Sequence, residues 1–156
     1  MKISISPQYE HLRGDILKVV TGDYIASKVY CHKRNVVEKV CMQGKDYVVK
    51  TYKRPNFFNR LAYTYLRKSK AKRAFLNALH LLELGIETPA PVAYIEIYNK
   101  GLFSKGYFIS EHVPYHTLDE VFKNKSPESH DLRLKTQFME FSLSLHKKKV
   151  LPLDFN

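Results

Sequence analysis

The chain has 156 residues, enough for one domain or two small lobes, and its 44% hydrophobic and 13% aromatic content excludes intrinsic disorder. Lys and Arg number 26 against 15 Asp and Glu, and the net charge of +11 predicts attraction to nucleic acid, an acidic membrane face or phosphorylated substrates. Cys31 and Cys41 lie in strand-like segments without metal-ligand spacing, which argues against zinc and suits a reducing compartment. No signal-peptide core or membrane-spanning run occurs, so the chain reads as cytoplasmic.

In chain order, Ile3 and Ile5 alternate with polar residues. Tyr9 to Arg13 reads as one helical turn closed by Gly14, and Leu17–Val19 and Tyr24–Ile25 as short extended pieces around a turn at Thr21-Gly22-Asp23. Ser27–Cys31 and Val36–Met42 are predicted strands joined by His32-Lys33-Arg34-Asn35. A turn at Gln43 to Asp46 leads into the alternating run Tyr47 to Lys53, which completes an antiparallel meander. Ser69 to Leu84 is a predicted helix: Ser69 suits an N-cap, apolar residues recur at three- and four-residue steps, and Gly85 suits a left-handed C-cap. Ile86 to Pro91 is extended because each proline disfavours helix in the residue before it. A hairpin follows, with strands Val92–Tyr98 and Gly106–Glu111 about a turn at Asn99 to Gly101. Thr117 caps a short predicted helix, Leu118 to Lys123, and Leu134, Phe138, Phe141 and Leu145 mark a second, ending near His146.

Two features carry chemistry. Lys50 shares a strand face with Val48 and Tyr52, where an ammonium can stand over a cleft and meet a nucleotide phosphate; the other reading is a lysine on a wet face, reaching water. From Lys45 to Arg73 ten Lys and Arg stand against a single acid, Asp46, with Tyr and Phe interleaved. That mixture fits nucleic acid, an anionic membrane surface, or a helix whose aromatic face is in the core.

Strands with a lysine on the third, a helix, a hairpin, a linker and then mostly helix make a two-lobed order. Val48-Val49-Lys50 resembles the strand lysine of the protein-kinase-like fold, Ser110-Glu111-His112-Val113 its hinge, and Leu145 to Asn156 its catalytic loop. The segments Lys53 to Leu61, Arg67 to Ala74 and Leu84 to Glu96, with the run Gly85-Ile86-Glu87-Thr88-Pro89-Ala90-Pro91, are similar in order and spacing to lipopolysaccharide core sugar kinases of the Kdo/WaaP group, of the Bacteroides type. The resemblance implies an α+β fold: a kinase-like N-terminal lobe over 1–113, with an antiparallel sheet and the helix 69–84, then a partial helical C-terminal lobe over 114–156. It implies an ATP-dependent phosphotransferase acting on a Kdo or heptose of the lipopolysaccharide core or a lipid A-linked sugar, with Mg²⁺, working in the cytoplasm and peripherally on the inner membrane. Lys50 would hold the α- and β-phosphates, the backbone of Glu111, His112 and Val113 the adenine, Lys33 and Arg34 would attract phosphates from the β-turn, and Asp154 would be the catalytic base.

The chain departs from that pattern in three places. The turn at His32 to Asn35 has no glycine for close backbone approach to phosphate. No acid stands at Ala74 to Leu76 to pair with Lys50, and Glu83 is the only carboxylate on that helix. The chain stops at Asn156, before the residues that hold Mg²⁺ in such kinases, so the expectation is a truncated or degenerate member, inactive alone. The alternatives are a nucleotide-binding pseudokinase and a basic module that binds nucleic acid or anionic membrane, nucleic acid being the less expected of the two.

Overall fold

A computed structural model describes residues 1–32, 35–115 and 128–150, and the side chains of all of these except 31, 32 and 128–131. The elements are β1 (Lys2–Ile5), a 3-10 helix (Pro7–Leu12), α1 (Arg13–Thr21), β2 (Ala26–His32), β3 (Asn35–Met42), β4 (Lys45–Tyr52), α2 (Phe57–Tyr65), α3 (Lys70–Glu83), β5 (Pro91–Asn99), β6 (Leu102–Glu111) and α4 (Glu128–Lys147). The strands form one six-stranded antiparallel sheet in the order β1-β5-β6-β4-β3-β2, so the fold is α+β. Two compact units divide the chain, Met1–Val113 and Pro114–Asn156.

Alternation along β4 decides the layering of the first unit. Tyr47, Val49 and Thr51 are buried, while Val48, Lys50 and Tyr52 on the other face are half-buried. The Tyr47 and Val49 side belongs to the main core, where Leu12, Ile16 and Val19 meet Val40, Met42, Ile95, Tyr107 and Ile109. Burying each such aliphatic side chain contributes about 1.5–3 kcal/mol. The expected extended piece at Leu17–Val19 is therefore helix, and Gly14 lies inside α1 instead of closing a turn. Valine and threonine have modest helix propensity, but the spacing of Leu12, Ile16 and Val19 puts all three on the sheet, and packing outweighs propensity. The left-handed residue that ends the helix is Gly22, with φ 85°.

The opposite face carries α2 and α3. Phe75 of α3 packs on Tyr94 of β5 with ring centroids 5.3 Å apart. Gly106 permits the close approach of α3: a Cβ there would lie 3.1 Å from that of Ala71 and 3.3 Å from Phe103. Ser69, fully buried, caps α3 by accepting from the Lys72 amide at 3.1 Å, and Gly85 after the helix has φ 66°. β6 begins at Leu102, earlier than the expected Gly106, because Lys100 and Gly101 adopt φ 51° and 77° and join the strands through a tight turn that pairs Asn99 with Leu102.

In the second unit, α4 turns Leu134, Phe138 and Leu145 to its less exposed side, as its spacing predicts, while Phe141 is 48% exposed. The expected helix Leu118 to Lys123 lies outside the described residues. Among the described residues no helix is long and apolar enough to cross a membrane.

Candidate functional site

The sheet face shared by α3 has a stretch beyond that helix, along β3, β4 and β6. Lys50 stands at its centre, opposite Val37 on one side and Phe108 on the other. Its ammonium lies 5.6 Å from the centroid of the Tyr52 ring and makes no ion pair among the described residues. A half-buried ammonium on a rigid strand, with no carboxylate holding it, is suited to an incoming anion.

Glu83, at the far end of α3, is 75% exposed and faces His80 at 3.5 Å. Glu96 is buried on the same sheet face but accepts the Tyr98 hydroxyl at 3.0 Å. Burial, then this carboxylate, pushes the Tyr98 phenol up to about 12. What α3 turns toward Phe108 and Ser110 is Ala74, Asn77, Ala78 and Leu81, across a largely apolar cavity of about 200 Å³. Asn77, which lines this cavity, is a polar group that sequence reasoning missed; the helical step from Ala74 to Ala78 was the signal available for it.

At one end of this face the chain leaves β6 through Glu111, His112 and Val113. The Glu111 amide donates to the Ala90 carbonyl at 2.9 Å and the His112 amide to the Asp46 carbonyl at 3.1 Å. Among the described residues the Val113 N–H has no such partner, and Val113 is 39% exposed. Of the three expected backbone contacts, two N–H groups are therefore committed to the fold. The His112 ring is occupied as well: Nε2 lies 2.8 Å from the Tyr30 hydroxyl and the two rings stack 6.3 Å apart.

At the other end, where β4 runs into α2, a cleft of about 280 Å³ is lined by Lys53, Arg54 and Lys70, the amides of Asn35, Asn56 and Asn59, and an aromatic wall of Tyr52, Tyr63 and Phe103. Burial raises the Tyr52 phenol above its ordinary value, with Arg73 opposing, so Tyr52 stays neutral and can donate a hydrogen bond. The strand thus runs from an open backbone donor, past Lys50, to a cluster of cations. Lys33, Arg34 and Asp154 lie outside the described residues, so their expected roles rest on the sequence resemblance.

No protein-family model matches the sequence, and no curated protein matches it. One solved structure similar to the chain is that of WaaP in complex with acyl carrier protein. It is 18% identical with a TM-score of 0.48, over 80% of this chain. The matched part spans 46% of that protein's length.

The basic segment Lys45 to Arg73 separates into different roles. Arg60 is buried, and its Nε donates to the Phe103 carbonyl at 2.8 Å, while the Thr64 hydroxyl accepts from the Phe103 amide at 2.9 Å. Arg60 is therefore a fastening of α2 to β6. Arg67 lies over the Tyr63 ring, 4.7 Å from its centroid. The reading of a helix in this segment with its aromatic face in the core is corrected: on α2, Phe57, Phe58 and Tyr65 are 59%, 80% and 72% exposed, and of that helix's aromatics only Tyr63 reaches the interior.

Proposed function

We propose that the chain is the nucleotide-binding portion of a phosphotransferase, with Lys50 as the phosphate ligand. The observation that carries this reading is the placement of Lys50, an ammonium without an ion pair among the described residues, on the sheet face between the Val113 end and the cation-lined cleft. Adenine would lie on Val48 and receive its backbone hydrogen bond from Val113. Lys50 would hold the α- and β-phosphates, and Lys53, Arg54 and Lys70 would draw the triphosphate along β4. The resemblance in the order of sequence segments extends the proposal to transfer onto a Kdo or heptose hydroxyl of a lipopolysaccharide core. The sugar oxygen bonds the γ-phosphorus, the bond from phosphorus to the bridging oxygen breaks, ADP leaves, and the Asp154 carboxylate accepts the hydroxyl proton. Such an acceptor would put the protein in the cytoplasm, at the inner membrane. Mg²⁺, which the resemblance also implies, finds no cluster of three His, Cys, Asp or Glu side chains among the described residues, so no step is derived through it.

Titration of the chain with ATP tests the nucleotide reading. Lys50→Ala is expected to weaken binding roughly 10- to 100-fold, the value of a charge-assisted contact. Lys39→Ala, which removes a lysine on the same sheet face already held by Asp46 at 2.8 Å, is expected to leave affinity unchanged. Equal affinities of the native chain and Lys50→Ala would overturn the proposal.

A further inference from the structure

The outward face of α2 matches neither a buried helix nor an ordinary surface one. At about 100° per residue, Phe57, Leu61, Tyr65 and Phe58 fall within an arc of about 100°. They are 59%, 42%, 72% and 80% exposed, and Leu66 at the C-cap is 84% exposed. The opposite side holds Arg60 and Tyr63, both buried. A helix on a soluble domain normally turns its apolar stripe to the core and its charges to water. Here the fastening to the sheet includes polar bonds, from Arg60 and Thr64 to the Phe103 backbone, and a contiguous apolar stripe faces solvent. Contiguous exposed apolar surface of this kind marks an interaction site.

The charges around it select the partner. Lys53 and Arg54 precede the helix, Arg67 and Lys68 follow it, all exposed, and the sequence holds no acid from Lys53 to Arg73. A second copy would bring like-charged rims together, which disfavours self-association through this face. Apolar and aromatic residues along one face of a helix, bracketed by Lys and Arg, make up the chemistry of an element that lies in the headgroup region of an anionic bilayer. We infer that α2 is an interfacial anchor that docks the protein onto an anionic phospholipid surface, with Phe57, Phe58, Leu61 and Tyr65 entering the headgroup and acyl boundary and the flanking cations meeting lipid phosphates. The inference rests on α2 alone and does not require the nucleotide reading.

Co-sedimentation of the full chain with vesicles tests it. Binding is expected to vesicles of phosphatidylcholine mixed with phosphatidylglycerol and to fall steeply with salt, with little binding to phosphatidylcholine alone. Phe58→Ser combined with Leu61→Ser is expected to reduce the partition coefficient roughly tenfold or more while leaving the melting temperature and ATP affinity unchanged, since both side chains are exposed. Arg67→Gln with Lys68→Gln is expected to reduce binding to the anionic vesicles and flatten the salt dependence. If the Phe58 and Leu61 variant binds the anionic vesicles as the native chain does, the inference is overturned. It is overturned too if native binding ignores phosphatidylglycerol, or if the only interaction those two substitutions weaken is self-association measured by sedimentation equilibrium. Tight binding to a short RNA that is indifferent to Phe58 and Leu61, without vesicle binding, would assign the surface to a polyanion and likewise overturn it.

Discussion

Helices α2 and α3 follow one another in the chain, lie on the same sheet face and begin with matching devices. Asn56 caps α2 by accepting from the Asn59 amide, as Ser69 caps α3 by accepting from Lys72. Each is amphipathic and neither has an acid in its first turn. Yet α3 buries Ala71, Phe75 and Ala78 against the sheet, while α2 buries Arg60 and Tyr63 and leaves Phe57, Phe58, Leu61 and Tyr65 in solvent. An apolar stripe says that a helix has a preferred partner but does not say that the partner is its own core. In α3 the stripe serves stability, packed on β5 and β6; in α2 it remains available.

The sharpest way to break that contrast is to truncate one phenylalanine from each helix. Phe75→Ala, at 4% exposure, is expected to cost about 3–5 kcal/mol in urea unfolding, from lost burial and the cavity left behind. Phe58→Ala is expected to fall within about 0.5 kcal/mol of the native chain, the range for exposed positions. A large cost at Phe58 would mean that the outer stripe is part of the fold after all. Next in size is Arg60→Ala, which removes the donor to the buried Phe103 carbonyl and is expected to destabilise by about 1–3 kcal/mol. Faster amide exchange confined to α2 and the start of β6 would accompany it. Retained stability and exchange protection in that variant would show that Tyr63 and the Thr64 bond to the Phe103 amide hold the helix without Arg60.

The smallest effect belongs to a surface pair on the lysine face. Lys39 donates to Asp46 at 2.8 Å and holds its carboxyl below the ordinary 3.8. A carboxylate with a lowered folded value contributes stability above its unfolded value, and the contribution is lost as pH falls through the folded one. The urea midpoint of the native chain is therefore expected to drop slightly more than that of Asp46→Asn between about pH 6 and pH 3. Asp46 is exposed and Lys39 only half-buried, so the difference is expected to shrink in high salt.

Most of the secondary structure was legible before any fold was known. The alternation from Tyr47 to Tyr52, the hairpin at Asn99 to Gly101 and the helix from Ser69 to Gly85 are written in short-range signals: period, cap and turn residues within a few positions. α1 was not legible, because Val19, Val20 and Thr21 are weak helix formers and Gly14 looked like a stop. Its helical state depends on the sheet that Leu12, Ile16 and Val19 cover.

The candidate site divides in the same way. That Lys50 shares a face with Val48 and Tyr52 follows from strand period alone, and the lack of an acid at Ala74 to Leu76 could be read directly. Which face of the sheet is covered, and by what, could not. Phe103 fastens α2 through partners 43 and 39 positions away, and the Glu111 and His112 amides are consumed by Ala90 and Asp46. Sequence by itself thus determined the local geometry of the lysine strand, and left a helix with an aromatic face as one of three readings of Lys45 to Arg73. Only the tertiary structure decided that the apolar stripe of α2 faces outward and that, among the described residues, no backbone carbonyl takes the Val113 N–H. Periodicity is a property of neighbouring residues, whereas burial and hydrogen-bond supply depend on groups that meet only when the chain folds.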